Sequence, residues 1–147
     1  YLEDAFFIKR TKRYDIKGRK IFEINDKFYF TDLGLRNSLR SFNMKDINKI
    51  LENVVLNKLL TSGFNVFVGK YDDKEIDFVA EKGDKIVYIQ VTYLIPDEKV
   101  HEREFGNLLK IDDNHRKIVV SMDDFAESNY KGIEHLHLRK FLTTQLD

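Results

Sequence analysis

The sequence predicts a layered α/β (α+β) domain in which two main helices flank a mixed sheet. Three observations carry this. Ile47, Ile50, Leu51, Val54, Val55 and Leu59 recur at helical spacing within residues 46–62. Three strand-like runs follow, "FNVFVGKY", "KEIDFVAEK" and "DKIVYIQVTYL", separated by Asp72-Asp73 and Gly83-Asp84, both suited to hairpin turns. The third run is almost continuously apolar, as expected of a central strand covered on both faces. From Asp46 onward the order reads α-β-β-β-α-β, then β-α.

Taken in order, residues 5–13, "AFFIKRTKR", read as a strand that turns basic, and "DIKGRK" as a turn around Gly18. "KIFEINDKFYFTD" gives a short strand, a turn at Asn25-Asp26 and a second short strand. Residues 32–40 suit a short helix with Asp32 as N-cap. Asn43 or Asp46 can cap the 46–62 helix, and Gly63 can close it in the left-handed conformation. Pro96 ends the apolar strand. Residues 97–110 read as a second helix, capped by Asp97, with Val100, Phe105, Leu108 and Leu109 inward. "RKIVVSMD" is a further strand, 123–132 a loop, "GIEHLHL" a last strand and "RKFLTTQL" a last helical turn or two. The expected division is an accessory β-ribbon with a short helix over 1–45 and the main domain over 46–147.

Composition narrows the function classes. Among the 147 residues, 25 Lys and Arg balance 25 Asp and Glu, so attraction to nucleic acid must come from a local patch. The absence of Cys excludes disulfides, thiolate zinc and a cysteine nucleophile, and fits a reducing, cytoplasmic compartment. No apolar run reaches the roughly 20 residues of a membrane span, so no membrane partner is expected. The chain opens without Met on "YLEDAFFI", which reads as the middle of an element, as in a piece of a longer protein.

Polar residues inside the strands carry the chemical signal. On a regular strand Glu75, Asp77, Val79 and Glu81 share one face, and Ile76, Phe78 and Ala80 the other. On the next strand Ile86, Tyr88, Gln90 and Thr92 share a face, opposite Val87, Ile89, Val91 and Tyr93. A hairpin brings Asp77 close to Gln90 and Thr92, and Glu52, at the margin of the helical stripe, can approach from the helix. Structural roles explain the same residues: Asp77 can satisfy backbone donors or pair with a base, Gln90 and Thr92 can bond within the sheet, and Glu52 can be solvated or paired.

With Glu52 in "LENVVLNKLL", Asp77 in "EIDFVAEK" and Gln90-Val91-Thr92 in "YIQVTY", the sequence resembles the PD-(D/E)xK restriction-endonuclease-like superfamily. Together with "KFYFTDLGLRNSL" and "LTSGFNVFVGK", these pieces are similar to the C-terminal domain of prokaryotic AAA-type ATPases, a domain of unknown function. This resemblance covers nearly the whole chain. It implies a restriction-endonuclease-like αβββαβ core, preceded by the end of a winged-helix segment with its wing, "YLEDAFFIKRTKRYDIKGRK". It also implies an N-terminal ATPase module as partner, which alone would bind ATP.

In active superfamily members the Asp and the Glu of Glu-x-Lys hold Mg²⁺, and the Lys orients the attacking water. Asp77 and Glu52 are the candidate Mg²⁺ ligands here. Gln90 offers a neutral amide in place of a carboxylate, and Thr92 lacks the lysine's charge. Glu52, Asp77, Gln90 and Thr92 therefore occupy catalytic positions of a degenerate motif. The expected role is a module that binds nucleic acid or a protein partner, the alternatives being a Mg²⁺-dependent DNA nuclease and a structural oligomerisation domain.

For nucleic acid, Lys9, Arg10, Lys12, Arg13, Lys17, Arg19 and Lys20 form a basic wing able to rest on a phosphate backbone. His135 and His137 lack a third metal ligand and are expected to be structural or exposed. No G-x-x-x-x-G-K-[ST] phosphate loop occurs, so this segment is not expected to bind ATP by that route; no cofactor is expected in this segment, with Mg²⁺ possible.

Overall fold

The two expected hairpins form, and an eight-stranded mixed sheet is built outward from them. The computed structural model describes residues 3, 7–39, 43–124 and 128–146. Its elements are β1 (Ile8–Asp15), β2 (Lys20–Phe30), α1 (Leu33–Leu39), a 3-10 turn (Met44–Asp46), α2 (Ile47–Thr61), β3 (Asn65–Tyr71), β4 (Lys74–Lys82) and β5 (Lys85–Val91). After these come α3 (Glu98–Leu109), β6 (Arg116–Ser121), β7 (Ser128–Tyr130), β8 (Ile133–His137) and α4 (Leu138–Thr143). Ala5, Phe6, Arg40 and residues 125–127, which fall in elements expected from the sequence, lie outside the described residues.

The strand order is β2-β1-β3-β4-β5-β6-β8-β7. The hairpins β3–β4 and β4–β5 are antiparallel, whereas β1–β3, β5–β6 and β6–β8 are parallel. The β1–β2 ribbon thus continues the same sheet. Asp72 and Gly83 take left-handed conformations (φ 54° and 59°) at the two hairpin turns.

Two apolar layers cover the sheet. Leu51, Val55, Leu56 and Leu59 of α2 and Phe141 of α4 pack on Phe78, Ala80, Val87, Ile89, Val91, Ile118 and Val120. Phe105 and Leu108 of α3 pack on Ile76, Val79, Tyr88 and Val119 from the other side. Each Val, Leu, Ile or Phe side chain among these contributes about 1.5–3 kcal/mol when fully buried. The caps follow the sequence. Asp32 accepts from the Leu35 amide at 2.6 Å, and Asp97 from the Val100 amide at 2.9 Å. Gly63 (φ 83°) ends α2. Asn43 caps the 3-10 turn by accepting from the Lys45 amide, whereas the Asp46 side chain caps nothing.

Four details correct the sequence expectations. Asn25-Asp26 does not reverse the chain: β2 runs on through a large bulge, its pairing with β1 jumping from Thr11↔Lys27 to Arg13↔Phe22. The 123–132 segment contains the short strand β7. Leu109 is exposed, while Glu104 of the same helix is buried. Lastly, the alternation expected for β4 breaks in its middle. The register with β3 shifts between Phe67↔Val79 and Gly69↔Ile76, so Asp77 and Phe78 together oppose Val68. Beyond this bulge Ile76 joins Val79 in the α3-side layer, and Phe78 stays with Ala80 on the α2 side. Gly69 permits the close approach, since a Cβ there would lie 2.8 Å from Val79 Cγ2 and 2.9 Å from Ile76 Cβ.

Candidate functional site

The bulge decides where Asp77 points. On a regular strand it would share the α3 side with Val79 and Glu81. Displaced by one residue, Glu75 and Asp77 instead meet Glu52 of α2 and two residues of β2, Lys27 and Tyr29. Lys27 and Tyr29 stand two apart on β2 and therefore point the same way. The Tyr29 hydroxyl donates to Glu52 Oε2 at 3.1 Å, and its ring packs against Phe78 at 5.7 Å between centroids. Lys27 Nζ lies 2.5 Å from Glu75 Oε1 and 3.6 Å from Glu52 Oε2. Arg13 Nη1 donates to the other oxygen of Glu75 at 2.6 Å.

Electrostatics follow from this packing. Burial pushes the Asp77 carboxyl well above its ordinary pKa, and the nearby Glu52 charge pushes the same way, against the Val91 amide and Lys27. Burial alone would raise the Glu75 pKa, but the hydrogen bonds from Lys27 and Arg13 prevail and lower it. For Lys27 burial favours the neutral form, yet Glu52 and Glu75 outweigh it and its pKa rises. Burial and the neighbouring carboxylates, Glu52 first, hold the Tyr29 hydroxyl firmly protonated.

Gln90 and Thr92 contribute differently. The β4–β5 ladder ends at Phe78↔Ile89. Past that point two side-chain bonds replace it. The Asp77 amide donates to Gln90 Oε1 at 3.1 Å, and the Val91 amide donates to Asp77 Oδ2 at 2.8 Å. Gln90 and Thr92 alternate with Ile89 and Val91, which pack on the α2 side, so they belong to the α3 side. Thr92 is buried, and its hydroxyl donates to the Leu94 carbonyl at 3.5 Å. The structure therefore brings Glu52 and Asp77 together, ties Gln90 to the Asp77 backbone, and places Thr92 apart. Among the described residues, no three His, Asp or Glu side chains are grouped so as to hold a metal ion. Lys27, Tyr29 and Glu75 were not expected at the site. Their signal was the two-residue spacing of Lys27 and Tyr29, and of Glu75 and Asp77.

The basic wing divides into two sets. Arg10 pairs with Asp26, Arg13 with Glu75, and Lys17 with Asp72 at 3.0 Å. Lys9, Lys12, Arg19 and Lys20 are exposed along β1 and the β1–β2 turn. The two histidines are structural. Buried His135 shares a 2.8 Å hydrogen bond with Ser121 Oγ, and His137 Nδ1 accepts from the Arg139 amide at the start of α4. No helix is long and apolar enough to cross a membrane among the described residues.

Comparison with protein families finds no match. No solved structure matches either. Over 141 residues, 96% of the chain, the sequence is 40% identical to a Haemophilus influenzae protein described as uncharacterized. The chain spans about a third (34%) of the length of that curated relative.

Proposed function

We propose that this chain is a restriction-endonuclease-like domain of an AAA-type ATP-binding protein, in which the nuclease-type site has become an internal ion-pair cluster. The domain acts as a nucleic-acid-contacting module. One observation carries this: the Lys27 ammonium stands between Glu52 and Glu75, where it balances the charge that a divalent cation would otherwise answer. The Gln90 amide oxygen is engaged by the Asp77 amide, and one Asp77 oxygen by the Val91 amide. This donor set suits an ammonium ion better than Mg²⁺. Exposed Lys9, Lys12, Arg19 and Lys20 offer the phosphate contacts. The relative, in which the matched region is about a third of the length, supports a domain working within a larger protein.

A second reading, a Mg²⁺-dependent nuclease, is favoured by one feature only. Lys27 supplies beside Glu52 and Asp77 the lysine that Thr92 does not. The test is incubation of purified protein with duplex and single-stranded DNA in Mg²⁺ or Mn²⁺, with thermal unfolding followed in parallel. No cleavage and no metal-induced rise in Tm are expected. Duplex binding should weaken with salt and in Lys9→Ala/Lys12→Ala. Cleavage that disappears in Asp77→Ala establishes the nuclease. Duplex binding indifferent to both salt and these lysines removes the nucleic-acid role and leaves a protein partner.

A further inference from the structure

A cavity of about 290 Å³ opens on the α3 side of the sheet, across it from the Lys27 cluster. Its floor is Ile16 and Ile111, both buried in the α3-side layer. Its walls include Tyr14, Tyr71 and Tyr88, the cations Lys17 and Arg19 of the β1–β2 turn, and Asp112, Asp113 and His115 of the loop before β6. Internal contacts account for several of these groups. The Tyr88 hydroxyl donates to Asp113 Oδ2 at 2.8 Å, and Lys17 Nζ bonds Asp72. Tyr14 is braced by Phe67, their ring centroids 5.7 Å apart. Arg19 makes no ion pair among the described residues, and Asp112 is exposed.

Each class of wall selects a different part of a ligand. Half-buried Tyr14 and Tyr71 offer aromatic surface for a flat ring, Lys17 Nζ standing 6.0 Å from the Tyr71 ring centroid, and buried Tyr88 backs them. Arg19 matches a phosphate through its planar fork of donors. Asp112 can only accept hydrogen bonds and repels a simple anion, so it needs a ligand that also carries an N–H donor. An aromatic ring bearing an amino group, joined to a phosphate, answers all three. The volume is at the small end for ligand pockets, enough for one such unit and too little for a base pair.

We propose that this pocket binds one unpaired nucleotide, its base among the tyrosine rings, its amino group on Asp112 and its phosphate on Arg19. The inference rests on the nucleic-acid reading above for the class of partner. The same chemistry is presented by a free nucleotide and by the end of a single strand.

The experiment is isothermal titration of the whole chain with AMP, with a short single-stranded oligoadenylate and with inorganic phosphate. Saturable binding of AMP or of the oligonucleotide is expected, with phosphate at least about tenfold weaker. Arg19→Ala should weaken binding about tenfold or more with thermal unfolding unchanged, and Tyr71→Leu should also weaken it. Binding of AMP marks a free nucleotide as ligand; binding of the oligonucleotide alone marks a strand. Saturation by neither, phosphate binding as tightly as AMP, or an Arg19→Ala variant of parental affinity overturns the proposal. Lys9→Ala/Lys12→Ala should leave AMP binding unchanged. Failure of duplex binding is thereby distinguished from failure of the pocket.

Discussion

On the α2 side of the sheet, Lys27 stands between Glu52 and Glu75, Arg13 holds the other oxygen of Glu75, and Tyr29 donates to Glu52. On the α3 side, Arg19 reaches the mouth of a tyrosine-walled pocket with no ion-pair partner among the described residues. Both regions are rich in charge and both lie against a sheet face. In the first, the charges answer one another. In the second, a guanidinium and a carboxylate face open space, where a ligand can answer them. Pairing, more than the mere presence of ionisable groups, separates a structural cluster from a binding surface.

Lys27→Met tests the closed side most severely. It keeps the length of the apolar stem and removes the counter-charge of two part-buried carboxylates. Breaking a fully buried pair costs about 3–5 kcal/mol. Glu75 and Lys27 keep some solvent contact, so about 2–3 kcal/mol is expected, read as a lower midpoint in urea at unchanged slope. A loss below about 0.5 kcal/mol would mean that the cluster is only surface charge, and the contrast between the two sides would fail.

These two regions were unequally legible in the sequence. The helical stripe of α2, the caps Asp32 and Asp97, and the hairpin turns at Asp72 and Gly83 are local signals, and each holds in the structure. The bulge at Asp77-Phe78 is not local. It depends on how β4 registers against β3 and on the missing side chain at Gly69, while the alternation of "EIDFVAEK" continues undisturbed on paper. Parity therefore put Asp77 with Val79, when the bulge sets it beside Glu52. Lys27 was hidden for a related reason. Asn25-Asp26 carries a hairpin-turn signal, yet the chain absorbs those residues as a bulge and keeps its direction, delivering Lys27 and Tyr29 to a helix that begins about 20 residues later. Arg13 and Lys17 stood out as basic residues; their carboxylate partners Glu75 and Asp72 become neighbours only through the parallel β1–β3 pairing.

Asp77→Asn sharpens the account of the closed side with a smaller effect of opposite sign. Burial, then Glu52, raises the Asp77 pKa in the folded protein. Between the unfolded value, near 4, and the raised folded value, the native state holds the proton more tightly than the unfolded chain. The stability this gives is fully present below the unfolded value and is lost as pH rises through the folded one. Asparagine keeps an oxygen to accept from the Val91 amide and carries no charge, so it escapes that loss. Because Asp77 keeps some solvent contact, the gain at neutral pH is set at about 1 kcal/mol, a Tm rise of about 3 °C. Parent and variant should converge in thermal scans toward pH 4. A variant less stable than the parent at neutral pH would show that the carboxylate charge is favoured in place, as in a working cation site.

Arg19→Gly addresses the open side and has the smallest expected effect on stability. Arg19 sits at φ 49°, in the left-handed region, which costs a residue with a Cβ about 1–2 kcal/mol. Glycine removes that cost but gives the unfolded chain more freedom, worth about 0.4–1 kcal/mol. The two nearly offset, so stability should stay within about 1 kcal/mol of the parent, on the favourable side, as read from denaturant unfolding. Since no ion pair of Arg19 is lost, nothing else should move. If the pocket is a binding surface, this variant separates the functions: folding kept or improved, nucleotide affinity lost. A loss of more than about 1 kcal/mol would instead place Arg19 in the same class as Lys27, a charge held for the fold.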